Sequence, residues 1–173
     1  MNEWKHFRYA VYEQLKDVHA QKSLAMEFVL NGDCEYFKKL KALYADDEWP
    51  NVLQNILEQA KDNNRNDIYA KIVIHENLKL RLLEYCKKNI HTIVAHYMHL
   101  LPDYQNDISM IFVKYITECA EHADNRRRYH EIGKLIKLHK KACGNAEAYA
   151  LRDELTAKYP RRPAFLDELN KIK

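Results

Sequence analysis

Three glycines and four prolines are all that punctuate 173 residues. A sandwich or barrel is built from many hairpins, and hairpins consume Gly, Asn-Gly and Asp-Gly. A chain this poor in turn-formers cannot supply them. Leu, Lys, Glu, Ala and Arg, all favourable inside helices, are plentiful instead. An all-α fold follows. The length suits a single all-helical domain over residues 1–173, or one elongated array of helices. Folding such a chain would bury roughly 70% of its unfolded surface, so it needs no disulfide or metal staple.

Apolar residues recur at helical spacing almost from end to end. Trp4, Phe7, Val11, Leu15 and Val18 make one stripe, which Leu24, Phe28 and Val29 continue toward Asn31-Gly32-Asp33. Gly32 suits the end of a helix and Asp33 the N-cap of the next. That next helix carries Tyr36, Phe37, Leu40, Leu43 and Tyr44. Asp47 then reads as an N-cap, with Pro50 tolerated in the first turn and Val52, Leu53, Ile56, Leu57 and Ala60 as the buried face. KDNNRND is a loop whose Asp67 caps the segment bearing Ile68, Ile72 and Val73. A kink near Asn77 precedes a short helix with Leu78, Leu82, Leu83 and Cys86. Another helix runs from Ile90 to Leu101, ended by Pro102. Asp103 caps the most regular helix, with Tyr104, Ile108, Ile111, Phe112, Tyr115, Ile116 and Cys119. Asn125 opens a basic helix reaching Gly144, and Asn145 caps one running to Tyr159.

About ten or eleven helices joined by short loops force neighbours antiparallel, and stacked hairpins make an α-α superhelix. The steps between hairpins are unequal and no tetratricopeptide signature is present. The expected architecture is therefore an irregular TPR/HEAT-like solenoid.

The sequence offers little chemistry. Basic residues number 28 and acidic residues 25, and the net charge of +3 predicts no polyanion partner by itself. No run of about 18 apolar residues exists to form a transmembrane helix. The start, MNEWKHFRYAVYEQ, is charged throughout and is no secretory signal. No membrane association and a cytoplasmic location are expected, with Cys34, Cys86, Cys119 and Cys143 as reduced thiols in helices. His96 and His99 share one helical face at i,i+3 spacing, but a zinc site needs three or four ligands and this helix offers no third. His75-Glu76 lacks the second histidine of a metalloprotease motif. Ser23 and Ser109 stand in no nucleophile-elbow context, and no glycine-rich phosphate loop is present. No catalytic residue, cofactor or metal is expected, and the chain is read as no enzyme.

The sharpest feature is NRRRYHEIGKLIKLHKKACG, residues 125–144. Projected as a helix, Arg126, Arg127, His130, Lys134, Lys137, Lys140 and Lys141 fall within an arc of about 140°. Tyr129, Ile132, Leu135, Ile136 and Cys143 occupy the other side, with His139 among them. Such a cationic face suits DNA or RNA phosphates in a salt-dependent contact, without aromatic interleaving for base stacking. Tyrosines such as Tyr36, Tyr44, Tyr97, Tyr104 and Tyr115 lie on apolar stripes. There they pack, or line a protein-binding surface.

Four stretches, EYFKKLKALYADDEWP, RLLEYCKKN, LLPDY followed by IFVKYI, and KYPRRPAFLDEL, span most of residues 25–172. In them the chain resembles the helical region downstream of the zinc finger in bacterial SWIM zinc-finger proteins. The resemblance implies an all-helical accessory region without defined activity. The family's C-x-C…C-x-H ligands have no counterpart here, so no zinc is carried over and the chain is expected to be a fragment of a longer protein. Two functions are left open. One is a non-enzymatic helical scaffold for a protein partner, or for an upstream domain of the same chain. The other is a nucleic-acid-binding accessory module using the basic helix 125–142.

In KYPRRPAFLDEL, Pro160 blocks one helix and Pro163 opens the last, which docks through Phe165, Leu166, Leu169 and Ile172. The segment 158–172 is expected to be a terminal capping helix whose Asp167 and Glu168 pair with Arg161 or Arg162.

Overall fold

A computed structural model describes residues 3–62 and 66–173. The described residues form eleven α-helices and one 3-10 turn, with no strand among them. Contacts cluster into two compact units, Met1–Asn77 and Leu78–Lys173.

The first unit contains α1 (Glu3–Leu15), α2 (Val18–Leu30), α3 (Cys34–Ala42), α4 (Trp49–Asp62) and α5 (Asn66–His75). The expected continuous stripe from Trp4 to Val29 is broken after Leu15. Lys16 takes a left-handed φ of 53°, and the Asp17 carboxylate accepts from Ala20 N at 3.0 Å to start a new helix. The chain reverses there, so α2 lies antiparallel on α1, with Gln21 donating to the Tyr12 carbonyl at 2.9 Å. Gly32, at φ 92°, ends α2 as expected. Asp33 caps α3, accepting from Glu35 N at 3.1 Å. Asp47 does not cap α4. The longer Glu48 side chain instead reaches back to Ala45 N at 3.3 Å, and the helix begins one residue later than expected, at Trp49.

Leu40, Ile56, Ala60 and Val73 are fully buried, and Leu57 almost so. Each large aliphatic of this kind contributes about 1.5–3 kcal/mol. One polar hub ties three helices. Glu76 receives Lys41 Nζ on both carboxylate oxygens at 2.9 Å, and Trp49 Nε1 at 3.3 Å. Burial pushes this carboxyl upward, but hydrogen bonds from Lys41, Trp49 and His75 outweigh it and hold it below the usual range. The predicted loop KDNNRND lies partly outside the described residues. Asp67 sits inside the first turn of α5, so it is not the cap. The kink near Asn77 is present as a left-handed residue, φ 53°.

The second unit contains α6 (Lys79–Lys88), the 3-10 turn Ile90–Thr92, α7 (Ile93–Leu100), α8 (Gln105–Glu121), α9 (Arg126–Cys143), α10 (Asn145–Lys158) and α11 (Pro163–Leu169). Asp103 does not cap α8. Its carboxylate is taken by Lys79 Nζ at 2.6 Å, leaving Tyr104 at the N-cap without a side-chain bond. Asn125 caps α9 as expected, accepting from Arg128 N at 3.0 Å. Gly144, at φ 116°, makes the turn into α10, so Asn145 is the first helical residue and not the cap. Ile108, Phe112 and Ile116 from α8 meet Ile136 from α9 in a core with no solvent exposure at these positions.

The final segment docks on α9 through Phe165, Leu169 and Ile172, all buried. Phe165 stacks on Tyr129 at 4.9 Å. The expected internal ion pairs are not made. Arg162 turns away from Asp167 and Glu168 and donates to the carbonyls of Ala120 and Ala123 at 2.8 and 3.1 Å, closing the C-terminal end of α8. Its guanidinium also lies 4.3 Å over the Tyr159 ring.

Candidate functional site

The α1 helix presents two faces with aromatic residues, and the core takes the more polar one. His6 Nδ1 meets the Tyr36 hydroxyl at 2.9 Å, and its ring stacks on Phe28 at 4.5 Å. Tyr9 packs edge-on to Tyr36 at 4.8 Å and is buried. Lys5 pairs with Glu27 on α2. The purely apolar stripe therefore faces outward. Trp4, Phe7 and Leu15 are 69%, 64% and 70% exposed, with Val11 at 37% and Val18, on α2, at 46%. An outward apolar patch of a few hundred Å² is often functional. Glu3 and Arg8 flank it, and neither makes a hydrogen bond or ion pair among the described residues.

The basic face of α9 is less free than its projection suggests. Arg126 pairs with Asp167 at 3.5 Å and His130 with Glu168 at 3.1 Å, both carboxylates on α11. Lys171, followed by His130, holds the Glu168 carboxyl below its usual range through hydrogen bonds. Lys140 donates to the Tyr149 hydroxyl at 2.9 Å and to the Lys173 carbonyl. Lys134 bridges to Glu131 at 2.9 Å, an exposed i,i+3 pair of little strength. Arg127, Lys137 and Lys141 are exposed, with no hydrogen bond or ion pair among the described residues. The open cationic surface is thus a narrow ridge, not a whole face.

Between α8 and α9 lies an arrangement that sequence spacing does not reveal. His139 is fully buried, and its Nε2 lies 2.9 Å from Ser109 Oγ. Its ring stacks on Phe112 at 5.5 Å, and its Nδ1 has no partner among the described residues. Burial pushes the imidazole below its usual pKa, with a smaller opposing pull from Glu147. Nearby, burial pushes the Cys143 thiol up to about 11, so it stays protonated at neutral pH. A serine–histidine pair without an acid on Nδ1 lacks the group that would orient the base and stabilise its cation. His96 is half-buried and His99 exposed on α7. Among the described residues no group of three His, Cys, Asp or Glu side chains is placed to hold a metal ion.

In the first unit, a largely apolar cleft of about 300 Å³ opens between the α2–α3 turn and α5. Val29, Phe37, Ile68 and Ile72 line it together with Cys34, an exposed residue. Among the described residues no helix is long and apolar enough to cross a membrane. The chain matches no protein-family model, no curated protein and no solved structure.

Proposed function

We propose that this chain is a non-enzymatic helical scaffold that binds another protein, with the outer face of α1 as its docking surface. The observation that carries this is the exposed stripe Trp4, Phe7, Val11 and Leu15, standing opposite a well-packed inner face. Aromatic anchors on a rigid helix are the side chains that dominate interface energetics. The scaffold is an irregular α-α superhelix. Contacts between sequence-adjacent helices, such as α1 with α2 and α8 with α9, support that arrangement. The resemblance around residues 158–169 supports a role as the accessory arm of a SWIM-type zinc finger. Affinity capture with the wild-type chain and with Trp4→Asp/Phe7→Asp tests the docking surface. Partners held by the stripe are expected to be lost from the variant, while circular dichroism stays unchanged. Identical partner sets would rule out α1 as the surface.

A second function uses the ridge Arg127, Lys134, Lys137 and Lys141, which follows one side of α9. Three or four phosphate contacts give a weak, strongly salt-dependent association with DNA or RNA. In fluorescence anisotropy with a duplex oligonucleotide, binding at 50 mM salt is expected to weaken by roughly 40- to 150-fold at 200 mM. Reversing charge at Arg127, Lys134 and Lys137 is expected to abolish it. Binding unchanged by that triple reversal, or insensitive to salt, would eliminate nucleic acid contact through this helix.

A further inference from the structure

We propose that the partner of the α1 stripe is a second copy of this chain, docked with the two α1 helices parallel across a two-fold axis. This rests on the reading of α1 as a protein-binding surface and names its occupant.

Three observations favour a second copy in that orientation. The first is spacing. Trp4, Phe7 and Val11 stand at i, i+3 and i+7, the first three apolar positions of a heptad seam, so each would meet its own counterpart across the axis. Leu15, one residue past the next seam position, extends the apolar edge where Gln14 interrupts it.

The second observation is charge. Glu3 and Arg8 lie five residues apart, about 140° apart around the helix, with the stripe between them. In a parallel pair, a carboxylate just before one seam position reaches the cation five residues later on the other helix. Glu3 of each copy would thus meet Arg8 of the other, twice by symmetry. Neither makes a hydrogen bond or ion pair in its own chain among the described residues. An antiparallel pairing would give Arg8 no carboxylate. It would also set Trp4 against the other copy's chain reversal at Lys16 and Asp17.

The third is area. Exposures of 69%, 64%, 37% and 70% at Trp4, Phe7, Val11 and Leu15, with Val18 at the margin, leave on the order of 500 Å² of apolar side chain per copy. A pair then buries about 1,000 Å², the lower edge of specific interfaces. The dimer is correspondingly weak, dissociating at micromolar concentration.

Sedimentation equilibrium of the full chain from about 1 to 500 µM tests this. A reversible monomer–dimer equilibrium is expected, with Trp4→Asp raising the dissociation constant about 100-fold or more. Arg8→Glu alone, or Glu3→Arg alone, leaves like charges across the seam and is expected to weaken the dimer about tenfold. Glu3→Arg combined with Arg8→Glu is expected to restore it to within about threefold of wild type. Circular dichroism of each variant confirms that α1 and α2 still fold. A chain monomeric throughout that range overturns the dimer. A dimer indifferent to Trp4→Asp places its interface elsewhere, and one in which the two charge reversals add instead of compensating is not parallel. If the chain is monomeric yet Trp4→Asp/Phe7→Asp still loses captured partners, the second copy fails while the docking surface stands.

Discussion

Replacing Phe165 by alanine is expected to destabilise the Leu78–Lys173 unit by about 3–5 kcal/mol, the cost of deleting a buried aromatic and leaving a cavity. Phe165 is fully buried, stacked on Tyr129 at 4.9 Å and tilted against Tyr159 at 5.8 Å. It is the main anchor of α11, a helix of 7 residues. A helix so short has no stability of its own and is held by its docked face. Its loosening carries Asp167 away from Arg126 and Glu168 away from His130, and those pairs span 41 and 38 residues of chain. In urea denaturation the midpoint should fall by about 2 M. Leu166→Ala on the half-buried side of the same helix should cost markedly less. A loss under about 1 kcal/mol for Phe165→Ala would mean that α11 is peripheral to the unit. The same variant frees Arg126 and His130, so any nucleic acid affinity of α9 should rise as stability falls.

That coupling is where sequence and structure part. The cationic arc on α9 was legible because it depends only on helical geometry within one segment. Its partial neutralisation was not, because Asp167 and Glu168 come to it from another helix. In the sequence, Arg161, Arg162 and Lys171 all stand nearer to those carboxylates than Arg126 or His130 does. The backbone carbonyls of Ala120 and Ala123 take Arg162 instead, and no side-chain pattern encodes a carbonyl's need. Caps show the same division. Asp33 and Asn125 act locally and were readable, whereas Asp103 is drawn off by Lys79, 24 residues away. The α1 stripe failed for a different reason. Counting apolar residues favours the Trp4–Leu15 face, yet His6 and Tyr9 win the core because Phe28 and Tyr36 match both their rings and their polar atoms. The all-α class was legible from the scarcity of turn-formers and the abundance of helix-formers. The outward face, and with it the candidate docking surface, was not.

The buried His139 makes the second unit sensitive to mild acid. Its imidazole is held neutral chiefly by burial, which lowers its pKa from 6.5, while Glu147 opposes weakly. In the unfolded chain the same group titrates near 6.5. Below that pH the unfolded state binds a proton that the folded state resists, so stability is full above 6.5 and falls as pH drops. The slope is at most about 1.4 kcal/mol per pH unit for one histidine. His96 acts with the same sign, through partial burial and then the neighbouring His99. Glu76 and Glu168 act in a different window. Their folded pKa values are lowered from 4.5, so their contributions are lost only as pH falls below that value. Loss of stability between pH 6.5 and 5 therefore belongs to the histidines. His139→Phe keeps a ring against Phe112, removes the unpartnered Nδ1 and leaves Ser109, itself only half-buried, free to bond water. The variant should lose most of the acid slope and be at least as stable as wild type at pH 5. Chemical denaturation at pH 7.5, 6.5, 5.5 and 5 measures both chains. A flat wild-type profile over that range, or a variant that keeps the full slope, would show that His139 does not resist protonation in the folded state.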